Sequence, residues 1–507
     1  MNKLILKNID IFYLFLTFLA SRIFYYYFFN ISFDGWTLQV YWQFFPEYLL
    51  KYDLLNSIIY NHYQPPFLNL LVGLVMKTSE NYLDYLNYIY QFIGFLSSVL
   101  IYLICKELGF SKNFSLVISI ILLIFPTTLL YENHLYKEYF TYFFLTWLFY
   151  FTLKIKKNRN NLYDLINISI SLSLLCLTRE TFHIIWGYVA VFIIQKNYDF
   201  KKKIILFFIF SILVMPFYLK NLIIYNKFGI NFSSTFEHLS QKIDFVKEMN
   251  DPNRHEKIRQ LTFGSHRDYL NFKKKASILY DTPLATDAYS YVKILDYKYK
   301  YRSNLTQTNT WFNEVWPEVD KIRKADFLLV LKEHPSLFLL NVLNAISRHL
   351  FTSSDYFNFT KHNADKMKII IKISDCIKLT PICLYDYGFH KIEASNDGNG
   401  YMTIDTGPLS YKEKIIYSLQ YTNFLFVIVY SVIIFCLISD IFSKKVNENN
   451  IINFWLISFI FIFVILVLFE DGEIARHRFC FDYLSFLIFL SKIKNIFSKK
   501  FLNKETN

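Results

Sequence analysis

Asp34 and Arg22 are the charged residues whose positions in the sequence first suggest chemistry. Asp34 stands among aromatic residues in the segment "FDGWTLQVYW". A carboxylate in apolar surroundings can have its pKa raised towards that of a working general base. Arg22 lies inside the first long apolar stretch, where a charge is costly and marks a functional site or an ion pair. The sequence therefore predicts proton transfer near one end of an apolar helix.

Further polar residues gather in short segments between the long apolar stretches. Their carboxylates can take a proton, and their basic side chains can hold an anion such as phosphate. His62 and His134 favour polar packing over metal ligation, and no CxxC or zinc-type spacing appears. The residues concerned are His62, Gln64, Glu132, His134, Lys137, Glu138, Arg179, Glu180, Glu470, Asp471, Glu473, Arg476, His477 and Arg478.

The elements that must position these residues are long apolar helices. The chain is 54% hydrophobic and has only 12 glycines among 507 residues, and its apolar residues come in blocks of about 20, the length that crosses a bilayer. This pattern predicts an all-α polytopic membrane protein with about ten transmembrane helices. The predicted spans are 9–29, 83–105, 114–131, 138–155, 162–178, 181–196, 203–224, 414–439, 451–469 and 479–496.

The distribution of lysine and arginine predicts the orientation of these spans. The net charge is +13, and the basic residues cluster in alternate loops, which indicates cytoplasmic loops and argues against nucleic-acid binding. Both termini are then cytoplasmic, and loops 30–82, 132–137, 179–180, 225–413 and 470–478 lie outside. The expected modules are an N-terminal transmembrane module of about seven spans at 1–224, an extracytoplasmic region at 225–413, and a C-terminal module of about three spans with a basic tail at 414–507.

The outer segments carry weaker structural signals. Pro66 suits the first turn of a short surface helix over 66–76, and an amphipathic helix near 335–351 is expected on the outer surface. The segment "ASNDGNGYMTIDTGP" indicates turns and short strands, so a mixed extracytoplasmic region is predicted. Cys376 and Cys383 can form a disulfide if that region lies outside the cytoplasm.

The order of these motifs resembles the glycosyltransferase C superfamily of integral membrane enzymes that use polyprenyl-phosphate sugars. The relevant branch holds the protein O-mannosyltransferases and the lipid A aminoarabinose transferases. The matching motifs are Asp34-Gly35-Trp36 with a later Tyr41, His62 to Phe67 with its proline pair, Glu138 in "LYKEYFTYFF", Arg179 after the fifth span, and "EIARHRFCFDYL". Two departures are Gln64, where the family often has lysine, and Glu180, where it commonly has proline.

This resemblance implies transfer of a sugar from a polyprenyl-phosphate donor to an acceptor hydroxyl on the extracytoplasmic face, by inverting displacement. It implies Asp34 as the base and Glu138 as a second catalytic carboxylate. Donor-phosphate contacts are expected from Arg22, Lys137, Arg179, Arg476 and Arg478, and substrate contacts from Trp36, Tyr41, His62, Gln64 and Glu132. The expected setting is the bacterial inner membrane, with a lipid, glycan or protein acceptor. No nucleotide cofactor is expected, and dependence on a divalent metal is left open.

Three other functions compete with this one. A flippase or transporter for lipid-linked sugars would also carry charges at one membrane face, although no repeat relates two halves of the chain. A glycan polymerase or ligase would share the chemistry but use a diphosphate-linked donor. A receptor or scaffold would have no evident use for charges at the ends of its spans.

Overall fold

The structure is a computed structural model that describes most of the chain up to residue 229 and several later parts. The described ranges are 9–155, 161–195, 200–225, 228–229, 363–380, 422–442, 450–469 and 474–505, together with single positions between 328 and 350. Gaps within these ranges fall at Trp36, 41–43, Pro46, Asp53, Tyr60, 62–63 and Asp365.

The described residues form α-helices. In chain order these are α1 Ile9–Phe29, α2 Thr37–Val40, α3 Glu47–Tyr52, α4 Leu54–Ile59, α5 Pro66–Thr78, α6 Tyr82–Glu107, α7 Lys112–Ile124, α8 Pro126–Glu132, α9 Lys137–Ile155, α10 Leu162–Thr178, α11 Ile184–Gln195, α12 Phe200–Tyr225, α13 Lys368–Ile377, α14 Phe424–Phe442, α15 Asn450–Phe469 and α16 Ile474–Glu505. The described positions from Leu328 to His349 are also helical. No strand occurs among the described residues, and an isolated parallel bridge joins Asp34 to His134.

Each predicted span overlaps a described helix, and one of them is broken. The segment 114–131 divides into α7 and α8, which are bent by 56° at Phe125. Pro126 is the first residue of α8, and a proline ring cannot continue the helix that precedes it. The predicted span 114–131 is therefore bent within its length, and every residue of α8 is buried in the bundle.

Fewer described helices than the ten predicted spans are long and apolar enough to cross a bilayer by themselves. Three described helices are long and apolar enough to cross a bilayer, namely α1, α6 and α12, and the bent pair α7–α8 would make a fourth. Shorter apolar helices include α5, α10 and parts of α14 and α15. These helices make an all-α membrane protein, while the figure of ten crossings and the boundaries of the predicted modules stay predictions. Most of 225–413 lies outside the described residues, including its predicted strands.

The helix α9 occupies the centre of the bundle. It packs against α6, α8, α10 and α16, and its aromatic side chains are almost all buried. Tyr131 in α8 stacks on Phe479 in α16 with 3.8 Å between the ring centroids. Because α9 begins at Lys137, this packing fixes the start of α9 and the loop before it inside the protein.

The proline pair begins α5 as the sequence predicted. Pro65 is the N-cap and Pro66 the first residue of the helix, where the missing amide needs no partner. One face of α5 is buried against α3, α6 and α10. The chain is thereby turned into a helix that presents the residues just before it to the start of α9.

Cys376 in α13 is disulfide-bonded. Cys105, Cys176, Cys436 and Cys480 are buried thiols outside any disulfide, and Cys383 lies outside the described residues. The helix α13 is anchored to α8 because Lys378 Nζ lies 3.1 Å from Thr127 Oγ1 and 3.2 Å from Asp375 Oδ1.

Candidate active site

Asp34 and His134 are held together by both backbone and side chain. The Asp34 amide donates to the Asn133 carbonyl at 2.9 Å, and the Leu135 amide donates to the Asp34 carbonyl at 3.0 Å. His134 Nδ1 lies 2.9 Å from Asp34 Oδ2, and the two side chains are only 2% and 5% exposed. The chain leaving α1 is therefore fixed against the chain leaving α8, and the imidazole orients the carboxylate.

Three hydroxyl groups hold the loop that carries His134. Thr37 Oγ1 donates to the Leu135 carbonyl at 2.9 Å, and Tyr90 Oη donates to the Tyr136 carbonyl at 2.8 Å. Tyr26 Oη donates to Asn133 Oδ1 at 2.9 Å. These donors come from α1, α2 and α6, so the loop is a rigid part of the bundle and not a mobile surface turn.

Lys137 lies three residues after His134 and connects the loop to two other segments. Its Nζ is 3.3 Å from Gln64 Oε1 and 3.1 Å from each carboxylate oxygen of Glu180. Burial opposes ionisation of Glu180, but the charges of Lys137 and Arg179 outweigh burial, so the pKa of Glu180 is lowered. Glu180 is therefore a stable anion that compensates the buried ammonium group of Lys137.

Glu138 and Arg179 form a second, looser ion pair beside the first. Arg179 Nη1 lies 3.6 Å from Glu138 Oε1, and both side chains are almost completely buried. The Cys480 thiol donates to the Glu138 carbonyl at 3.2 Å. Four elements thus bring acidic and basic groups to one end of the bundle, which we call the outer cluster: Asp34, Gln64, His134, Lys137, Glu138, Arg179 and Glu180.

Arg22 and Glu132 form a separate pair deeper in the bundle. Arg22 Nε donates to Glu132 Oε1 at 2.8 Å, and Arg22 Nη2 donates to Glu132 Oε2. Tyr139 Oη donates to Glu132 Oε2 at 2.8 Å. An added Cβ on Gly94 would lie 2.3 Å from Glu132 Oε2, so the glycine makes room for the carboxylate. The two charges satisfy each other, while the predicted phosphate role of Arg22 and substrate role of Glu132 stay predictions.

Arg478 is likewise engaged within the protein. Its Nε lies 2.8 Å from Asp482 Oδ1, its guanidinium stacks on the Phe426 ring, and its Nη1 donates to the His349 carbonyl. Its predicted role at the donor phosphate stays a prediction. The predicted site residues Trp36, Tyr41 and His62 lie outside the described residues, and the side chain of Arg476 does as well.

Two residues of this region were missed as functional candidates by the sequence. The sequence predicts polar packing for His134, whereas the structure pairs it with Asp34; its place three residues before Lys137 is the signal that could have found it. Lys220 lies within the predicted span 203–224, and its charge there is the signal that could have singled it out. Among the described residues, no group of three or more His, Cys, Asp or Glu side chains is arranged to hold a metal ion, and metal dependence stays open.

The described residues thus define an all-helical membrane protein with a buried cluster of charges at one end. No protein-family model matches the chain, and no similar curated protein is found. The chain is similar to the apo form of the Archaeoglobus fulgidus oligosaccharyltransferase, with 13% identity and a TM-score of 0.42. It is also similar to archaeal oligosaccharyltransferase AglB from Archaeoglobus fulgidus in complex with an inhibitory peptide and a dolichol-phosphate, with 12% identity and a TM-score of 0.39. The chain spans about half the length of these structures, since each match covers 99% of this chain and 52% of the other.

Proposed function

We propose that this protein is a membrane glycosyltransferase that moves a sugar from a polyprenyl-phosphate donor to an acceptor hydroxyl. The observation that carries the proposal is the buried Asp34–His134 pair, whose loop leads directly into Lys137 and its ion pair with Glu180. A carboxylate held at a fixed place can act as a general base, and a nearby cation can stabilise a departing phosphate. The loop of His134 and the segment of Asp34 bridged to it supply the fixed carboxylate, and the same loop leads into the cation Lys137.

The proposed reaction is a single inverting displacement in which these groups take named roles. Asp34 takes the proton of the acceptor hydroxyl while the acceptor oxygen forms its bond to the anomeric carbon. The bond from that carbon to the phosphate oxygen breaks on the opposite face, so the configuration inverts. Polyprenyl phosphate leaves with the bonding electrons, and its negative charge is stabilised by nearby cations. His134, whose Nδ1 lies 2.9 Å from Asp34 Oδ2, keeps the Asp34 carboxylate directed, while Asp34 takes the proton.

Lys137 and Arg179 are the cations of the outer cluster that can meet the leaving group. Each already faces a glutamate, at 3.1 Å for Lys137 and 3.6 Å for Arg179. These glutamates keep the cations charged and in place before the donor binds. The looser Arg179–Glu138 contact leaves room for Glu138 to orient the acceptor, which is the role proposed for this second carboxylate.

Two features support an extracytoplasmic position for this end of the bundle. Cys376 is disulfide-bonded, and disulfides persist in oxidising compartments. The lysines near the other ends of the helices form ion pairs such as Lys112–Asp10 and Lys154–Asp164, and basic residues favour the cytoplasmic side of a membrane. We therefore propose an active site on the outer face and cytoplasmic termini.

The test is a transfer assay with the purified protein in lipid nanodiscs. A synthetic polyprenyl-monophosphate sugar serves as the donor, and product formation is measured for the wild type, Asp34→Asn and Asp84→Asn. Loss of the base should lower the rate by about 10²–10⁴-fold. Asp84 is an exposed carboxylate at the start of α6, so its replacement should leave the rate unchanged.

A further variant separates the two members of the pair. His134→Gln keeps Asp34 but removes the imidazole that directs it, so its rate should fall less than that of Asp34→Asn. Transfer at the wild-type rate by folded Asp34→Asn would refute the assignment of the base. Movement of intact lipid-linked sugar across vesicles without transfer would instead identify a transporter, and activity with diphosphate-linked donors alone would identify a polymerase or ligase.

A further inference from the structure

Lys220 projects from α12 towards the outer cluster and meets only neutral oxygens there. Its Nζ donates to the Asn61 carbonyl, and it lies 2.8 Å from Asn221 Oδ1. Within the described part of the chain, no carboxylate lies at ion-pair distance from it. By contrast, Lys137 is paired with Glu180 and Arg179 with Glu138. Lys220 is thus a half-buried cation whose charge the described residues do not neutralise.

An uncompensated ammonium group between apolar helices is energetically unfavourable. Neutral oxygens replace part of its hydration, but a charge in this position normally pairs with another charge or serves a ligand. A purely structural brace would need only a hydrogen-bond donor, which a neutral side chain can provide. The positive charge of Lys220 therefore points to an anion that is not part of the described chain.

The turn that Lys220 contacts also touches Lys137. Asn61 Nδ2 donates to the Gln64 carbonyl at 2.6 Å, and the Gln64 amide lies 3.2 Å from Asn61 Oδ1. These bonds close the turn just before Pro65 and Pro66. Because Gln64 Oε1 lies 3.3 Å from Lys137 Nζ, one short turn links the two ammonium groups.

A second observation at this turn also calls for an acceptor. Gln64 is 2% exposed, and its Nε2 makes no hydrogen bond with the residues described. The nearby Arg179 Nη2 is buried and lacks a hydrogen bond in the same way. Buried donors without acceptors are costly. Two buried N–H groups without acceptors and one cation without a carboxylate partner match the acceptor oxygens and the negative charge of one polyanionic group.

We propose that Lys220 and Gln64 Nε2, together with Lys137, bind the phosphate of the lipid-linked donor. This assignment rests on the proposed function, since it places the leaving group of that reaction. The phosphate oxygens accept from Gln64 Nε2 and neutralise Lys220, while Lys137 bridges this subsite to the loop of His134. Departing polyprenyl phosphate then meets a cation that the protein does not already hold in an ion pair.

The experiment measures binding of geranyl phosphate, geraniol and inorganic phosphate to the full-length protein in nanodiscs. The variants are Lys220→Met, Lys220→Arg and Lys366→Met. Lys366 is an exposed lysine whose Nζ donates to the Asn30 carbonyl at 2.7 Å, so it matches the Lys220 contact outside the proposed subsite. Calorimetric titration gives Kd for each pair of protein and ligand.

We expect Lys220→Met to weaken the binding of geranyl phosphate by about 10-fold or more, because a charged hydrogen bond is lost. Lys220→Arg should recover most of the affinity, Lys366→Met should match the wild type, and geraniol binding should not change with any variant. Wild-type affinity of Lys220→Met for geranyl phosphate would overturn the proposal. An equal loss of affinity for geraniol would also overturn it, because it would show that the substitution acts through the fold. Inorganic phosphate binding as tightly as geranyl phosphate would overturn it as well, because the site would then not select a lipid-linked phosphate.

The transfer assay separates this inference from the proposed function. If polyprenyl-phosphate sugar is transferred but Lys220→Met binds geranyl phosphate normally, the subsite is refuted and the transferase stands. If no donor is transferred but geranyl phosphate binding depends on Lys220, the phosphate subsite stands and the transferase is refuted.

Discussion

Breaking the buried Arg22–Glu132 pair should destabilise the protein far more than removing both charges together. In Glu132→Leu, the guanidinium of Arg22 loses its bidentate acceptor and the Tyr139 hydroxyl loses its acceptor as well. In Arg22→Met, the Glu132 carboxylate remains buried with only the Tyr139 hydroxyl. Each single change leaves an uncompensated buried charge, which costs about 3–5 kcal/mol of unfolding free energy.

The double variant Arg22→Met/Glu132→Leu leaves no buried charge at this position. Its remaining cost is the unsatisfied Tyr139 hydroxyl, about 1–3 kcal/mol. The two single costs sum to about 6–10 kcal/mol, so the double variant should be much more stable than additivity predicts. The side chains of both replacements are apolar and of similar length, which limits the effect of changed volume.

The measurement is reversible unfolding of the purified protein by sodium dodecyl sulfate in mixed micelles, followed by near-ultraviolet circular dichroism. Additive losses, with the double variant losing the sum of the two singles, would refute the reasoning that the charges stabilise each other. The folded double variant also tests the donor-phosphate role predicted for Arg22. We expect an unchanged KM for the donor, whereas a phosphate contact requires a higher KM.

Two other predictions concern the surroundings of these ion pairs. Gly94→Ala places a Cβ 2.3 Å from Glu132 Oε2 and 2.5 Å from Tyr139 Oη, so thermal unfolding should show a loss of about 1–3 kcal/mol. Adding Tyr139→Phe to Gly94→Ala should recover part of that loss. An unchanged unfolding free energy in Gly94→Ala would contradict the tight fit. The pKa of Glu180 is lowered in the folded protein, so the ionised carboxylate stabilises the folded state above its usual pKa of about 4.3. This contribution is lost as the pH falls through the lowered pKa of the folded state. The stability difference between wild type and Glu180→Gln should therefore be largest at neutral pH and shrink below pH ~4, and a constant difference would count against the pairing with Lys137.

The helices could be predicted from the sequence because their causes are local. Apolar blocks and the position of Pro66 determine where the chain is helical, and α1 begins and ends at the predicted residues 9 and 29. The break before Pro126 had an equally local cause, but the apolar run across it concealed the proline. The outer loops were predicted to carry the polar residues, since charges are excluded from the apolar parts of the spans.

The partners of the charged residues were decided by the tertiary structure alone. Arg22 lies 110 positions before Glu132, and Lys220 lies 159 positions after Asn61. Whether a buried cation meets a carboxylate or only neutral oxygens depends on how several helices pack together, and no local pattern records that. The sequence by itself determined the helices and the charges available at their ends. The packing decided that Arg22 is neutralised within the protein, that Asp34 meets His134, and that Lys220 meets only neutral oxygens among the described residues.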